Sequence, residues 1–188
     1  MKKKIAELIL QIIPVMIGVY LGFLVSNWGD QQKRKNQSII FVKSIVNEID
    51  INNDKLQNKI DYHKMLRDSS NFYLSNYPTK ALIEFPDFFR GIQTSTLIES
   101  AYNTGNLTGI ISEFEMKKIQ SLNQLYTNQK EYNEYAKMTL EGFLNSDFDD
   151  NDKSIRKILQ FISFTMTDIV IKEDLLIAEY NKIQNELK

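Results

Sequence analysis

The chain has 188 residues, 23 of them basic and 24 acidic, for a formal net charge of −1; 43% are hydrophobic and none is cysteine. A balanced charge gives no electrostatic footprint for nucleic acid, and the lack of thiols excludes disulfides, thiolate metal sites and cysteine nucleophiles. Three prolines, seven glycines and long tracts rich in Leu, Ile, Lys, Glu, Gln and Asn point to helices, with no solenoid-length repeat and no low-complexity linker.

The first element dominates. Between Ile5 and Trp28 the sequence reads IAELILQIIPVMIGVYLGFLVSNW, and from Leu8 to Val25 only Gln11 is strongly polar. As a helix, Leu8 to Val25 reaches about 27 Å, close to the hydrocarbon thickness of a bilayer. Lys2, Lys3 and Lys4 precede it, as in a secretory signal, but the apolar run is long for one and Val25, Ser26, Asn27 and Trp28 supply no small-x-small cleavage site. Trp28 stands where an interfacial aromatic belongs, and Lys33, Arg34 and Lys35 follow in the headgroup zone. These four residues are the expected membrane-interface anchors of an uncleaved span. Gly18, Gly22 and Ser26 recur every four residues on one face, a small-xxx-small stripe through which two such helices can approach closely. Glycine is also simply frequent in membrane helices. Pro14 can bend the helix near its start.

After the span comes a polar, basic collar, GDQQKRKNQ, in which Gly29 either ends the membrane helix or is tolerated inside a longer one. Apolar spacing resumes at Ile39, Val42, Val46, Ile49, Asn53, Leu56, Ile60 and His63, alternately three and four apart, with Ile40, Phe41 and Ile45 widening the seam. A widened seam favours a bundle over a free two-stranded coil. The expected layout is therefore an anchor over residues 1–28, a collar over 29–38 and a helical bundle over 39–188.

From Phe72 to Asn106 the pattern breaks. Pro78 and Pro86 punctuate an irregular connection, PDFFRGIQ and TSTLIESAYNT read as short helical runs, and Gly105 marks a helix stop. Phe85, Phe88 and Phe89 are either core anchors beneath the connection or a ligand surface. Ser112 and Glu115 have capping-box spacing for a helix that runs to about Asn145 on Ile119, Leu122, Leu125, Tyr126, Tyr132, Ala136, Leu140 and Phe143. A last helix runs from about Lys153, its stripe including Ile155, Ile158, Leu159, Ile162, Met166, Ile169, Val170, Leu176, Ile177, Tyr180, Ile183 and Leu187. The fold class this implies is all-α: an N-terminal transmembrane helix followed by an antiparallel bundle of about four helices.

The order of IIPVMIGVYLGFLVSNW, DQQKRKN, IVNEIDINNDKL and SAYNTGNLTGIISEFEMKKIQSLNQLY resembles an uncharacterised family of single-span bacterial membrane proteins, classed as a domain of unknown function. The likeness is strongest over residues 12–56 and 98–126. It implies a membrane anchor with a helical domain, and no activity, cofactor or site residues.

Candidate chemistry is sparse. SDFDDND places Asp147, Asp149 and Asn151 at calcium-loop spacing, but Asp152 stands where that loop needs glycine and Ile158 where it needs glutamate. His63 is the single histidine, and Ile60 three residues before it excludes the Glu-x-x-His pair of a di-iron bundle; a seam or surface role is expected. No nucleophile-elbow glycines surround any serine. The reading is thus a non-enzymatic scaffold or interaction protein of the cell envelope, without cofactor or metal. Its expected partners are the lipid bilayer, a second copy through the membrane helix, and an unidentified membrane or envelope protein, with no nucleic acid. The alternative is a ligand-binding or sensory module reporting through the span, favoured if an apolar pocket forms near Phe85 to Phe89. Basic residues flank the span almost equally, and the basic, export-signal-like start orients the N-terminus inside and the bundle outside the cytoplasm.

Overall fold

The collar of Gln, Lys and Arg is built of good helix formers, and a single glycine inside a helix costs only about 1 kcal/mol relative to alanine. Gly29 accordingly remains helical. One uninterrupted helix, α1 (Lys2–Asn76), carries the apolar run, the collar and the first amphipathic stretch. The computed structural model describes residues 2–76, 87–146, 148–149 and 152–187, with the side chains of α1 described from Ile12 onward. After α1 come α2 (Ser100–Thr108), a 3-10 turn (Ile110–Glu113), α3 (Met116–Leu144) and α4 (Asp152–Leu187). Every regular element among the described residues is helical, and the fold is all-α. Pro78 and Pro86 lie outside the described residues.

The chain divides into two compact units, Met1–Lys43 and Ser44–Lys188. In the first, Ile12, Val15, Ile17, Val19, Leu21, Phe23 and Val25 are all exposed.

In the second unit, three long helices carry the core. Asp50 meets Gln184, His63 meets Glu173 and Asn71 meets Ser163, so α4 runs antiparallel to α1. It is antiparallel to α3 as well, through Asn128 with Glu179 and Tyr135 with Asp168. Consequently α1 and α3 run the same way, and the connection between them brings the chain back along both. Buried Ile45, Ile49, Leu56 and Leu66 of α1 share the interior with Leu122, Leu125 and Tyr132 of α3 and with Leu159, Ile162, Met166, Ile169 and Tyr180 of α4. Helices α3 and α4 approach so closely that a Cβ on Gly142 would meet the Phe161 ring at 3.0 Å.

Several boundaries differ from those the sequence implies. The α1 seam is turned toward Ile45, Glu48, Ile49 and Asn52; Ile39 is exposed, and Val42, Val46 and Asn53 are half-buried. The cause is the returning connection, which packs along α1 and draws the Glu48 and Asn52 side of the helix inward. PDFFRGIQ does not form a helix: after a turn at Asp87 and Phe88, residues 89–99 are irregular, with Gly91 at φ 91° and Gln93 at φ 54°, backbone angles no right-handed helix contains. Gly105 lies buried inside α2, and the helix ends instead at Gly109, whose left-handed φ of 74° lets its N–H reach the Asn106 carbonyl. Ser112 forms no capping box. It sits in the 3-10 turn with its hydroxyl on the Gly109 carbonyl, and α3 starts after Glu115 without a side-chain cap.

Candidate functional site

An extended segment inside a helical bundle presents N–H and C=O groups that no helix satisfies, and each must find a partner. Residues 90–99 form such a strap, lying antiparallel along α1 and α3. In extended backbone, successive residues direct their polar groups to opposite sides. Leu97 faces α3, where the Asn133 amide accepts from its N–H and donates to its carbonyl, both at 2.9 Å. Ile98 faces α1, where Asn52 accepts from its N–H at 2.9 Å and donates to its carbonyl at 2.7 Å. Two asparagines thus imitate neighbouring β-strands, one on each side. Gln129 donates to the Ile98 carbonyl at 2.8 Å, while its own oxygen accepts from Tyr180 at 2.7 Å and Asn52 at 3.1 Å. Lys55 donates to the Thr96 carbonyl and Tyr62 to that of Gly91.

Buried acids close the strap at both ends. Glu48 caps α2 from another helix: its carboxylate accepts from the Ala101 N–H at 2.7 Å, the Ser100 hydroxyl at 2.9 Å and Tyr126 at 2.7 Å. A carboxylate at a helix N-terminus also meets the positive end of the helix dipole. At the other end, His63 and Glu173 are both fully buried. Nδ1 of His63 lies 2.9 and 3.0 Å from the two Glu173 oxygens, and Nε2 lies 3.0 Å from the Ile92 carbonyl. A carbonyl only accepts, so Nε2 carries hydrogen and donates to the strap. Tyr132 donates to Glu173 at 3.0 Å.

Burial is the first cause of the raised pKa of Tyr126, Tyr132 and Tyr180; negative charge adds to it, from Glu48 on Tyr126 and Tyr180 and from Glu173 on Tyr132. Tyr135, nearer the surface, is pushed up to about 12 by partial burial and by its bond to Asp168.

This interior is chemically committed. A general base needs a lone pair within hydrogen-bond reach of a substrate proton, but both His63 nitrogens are taken up inside the core. Among the described residues, no cluster of three or more His, Asp or Glu could hold a metal ion. Asp147 and Asn151 of the calcium-like loop lie outside the described residues. Phe88 packs on Tyr73 at 5.5 Å between ring centres and Phe89 on Phe143 at 5.1 Å, as anchors of the connection; Phe85 lies outside the described residues. A groove of about 300 Å3 between α3 and α4 is lined by Gln120, Ser121, Gln124, Glu179, Lys182 and Ile183.

The residues expected to meet membrane lie in the first unit. Gly18, Gly22 and Ser26 are exposed on α1, and a Cβ on either glycine would meet nothing within 4 Å. Trp28 is 70% exposed, and Lys33, Arg34 and Lys35 are exposed as well. The strap-holding residues Glu48, Asn52, Gln129 and Glu173 were not singled out by sequence reasoning. One signal marks them: each is a polar residue at an apolar position of a helical stripe, Gln129 between Tyr126 and Tyr132, Glu173 between Val170 and Leu176.

Fold and interior together define a class: an all-helical protein with, among the described residues, one helix long and apolar enough to cross a membrane. Set against family models, curated proteins and solved structures, the chain matches none of them.

Proposed function

We propose that this chain is a single-pass membrane-anchored scaffold or interaction protein of the cell envelope, with α1 as anchor and the second unit as a rigid docking body. One observation carries the reading: the apolar residues from Ile12 to Val25 are all exposed, where a water-soluble protein would cover them. A bilayer covers them instead, and Trp28 with Lys33, Arg34 and Lys35 then occupies the interface. The strap supports the second half of the reading, because its buried polar groups are spent on holding the fold. The resemblance to single-span bacterial membrane proteins agrees with this assignment, and the basic N-terminus orients the second unit outside the cytoplasm.

The test is extraction and orientation in cells. The chain is expected to stay with membranes through alkaline carbonate washing, and a C-terminal reporter that works only outside the cytoplasm should be active. Release by carbonate would overturn the anchor. Activity of a cytoplasm-only reporter would reverse the orientation.

A further inference from the structure

One groove of the second unit holds an acceptor that the chain leaves without a donor. The groove opens between α3 and α4 and measures about 300 Å3, the lower end of the range that ligand pockets occupy. Helix α3 contributes Gln120, Ser121 and Gln124, neighbours on one helical face, and α4 contributes Glu179, Lys182 and the buried Ile183. A chain of hydrogen bonds sets the carboxylate: Gln124 donates to the Asn128 oxygen at 2.8 Å, and Asn128 donates to Oε1 of Glu179 at 2.7 Å. Oε2 of Glu179 is buried and accepts from no group among the described residues. A buried anionic oxygen without a donor is costly. Lys182, three residues further along α4, is exposed and forms no ion pair among the described residues.

We infer that this groove is a binding site for a small zwitterion of the α-amino acid kind, its ammonium donating to Glu179 and its carboxylate meeting Lys182. The chemistry selects both ends. Oε2 of Glu179 needs a donor from outside the chain, and a cationic donor returns the most, because charge-assisted hydrogen bonds are about twice as strong as neutral ones. An ammonium has three N–H groups to place. The Ser121 hydroxyl and the Gln124 carbonyl oxygen, which has no partner among the described residues, offer further acceptors from the facing helix. A lone cation would meet Lys182 as a like charge, since Lys182 shares a helical face with Glu179, and an adjoining carboxylate turns that repulsion into attraction. The site lies wholly within the second unit. It goes beyond the docking role proposed above and does not depend on the anchor.

The test uses the full-length chain in detergent, with isoleucine δ1 methyl groups isotopically labelled, and three matched probes at pH 7. L-alanine carries both charges, L-alaninamide keeps the ammonium without the carboxylate, and N-acetyl-L-alanine keeps the carboxylate without the ammonium. The Ile183 methyl shift reads the groove, and that of Ile155, near the start of α4, is the control. The expected result is a saturable Ile183 shift with L-alanine at a Kd of about 1 mM, binding of L-alaninamide weaker by about tenfold, no binding of N-acetyl-L-alanine and no shift of Ile155. Glu179→Gln should abolish the response. Ser121→Leu, which fills the groove and leaves Gln124, Asn128 and Glu179 in place, should abolish it as well, and decides the matter if Glu179→Gln does not fold. The absence of a saturable Ile183 shift with every probe overturns the site. A response that survives either substitution in a folded protein, or an Ile155 shift as large as that of Ile183, overturns it too. Equal affinity for L-alanine and L-alaninamide overturns the role of Lys182 and with it the zwitterion. Binding of N-acetyl-L-alanine as tight as that of L-alanine overturns the role of Glu179.

Discussion

Tyr126, Tyr132 and Tyr180 keep their phenolic protons by burial and by donating to Glu48, Glu173 and Gln129. A pKa raised in the folded state and ordinary in the unfolded one means that stability is fully present below about pH 10 and falls as pH rises beyond it, because only the unfolded chain gains by ionising. Phenolate absorbance from these three is therefore expected to appear together with the loss of helical circular dichroism, in one transition above pH 10. Tyr126→Phe should remove one of these late equivalents. Ionisation of all three while the helix signal stays intact would show that they are open to solvent.

At the scale of elements, the strap ties the helices together. Both ends of His63 are engaged, one with α4 through Glu173 and one with the Ile92 carbonyl. His63→Ala leaves a buried carboxylate without its partner and a strap carbonyl without its donor, and is expected to cost about 3–5 kcal/mol. Denaturant unfolding of the full chain in detergent measures the loss. Amide exchange should also quicken selectively over residues 90–99, and uniform protection there would show that the strap is held by its apolar residues Ile92 and Leu97 alone. Helix α4 and the C-terminal end of α3 were legible in the sequence to within a residue or so, because their apolar stripes are local and unbroken; the start of α3 was not, since it follows Glu115 and not Ser112. The strap was not. Its conformation is decided by Asn52, Asn133 and His63, which act on it from 29 to 46 residues away, and isolated PDFFRGIQ has no means of registering those partners. The polar seam residue fell on Asn52 and not Asn53 for the same reason: only the strap determines which side of α1 is inside.

At the scale of the whole molecule, the exposed positions of Gly18, Gly22 and Ser26 let the self-association expected from the sequence be tested separately from folding. A side chain at Gly22 meets nothing within the chain, so Gly22→Leu should leave insertion intact and weaken association in membranes, measured by energy transfer between labelled copies; Leu21→Ile should do little. Unchanged transfer in Gly22→Leu would reduce the stripe to ordinary membrane-helix composition. What the amino-acid sequence by itself determined is the class of structure and its apolar run: periodicities of 3.6 residues and an apolar length matched to a bilayer are local properties, written in consecutive side chains. What only the tertiary structure decided is the use of the buried polar residues. Glu48, His63 and Glu173 read as isolated polar residues along the chain; they acquire a role only when α1, α3 and α4 close around an extended segment whose buried backbone groups must be satisfied.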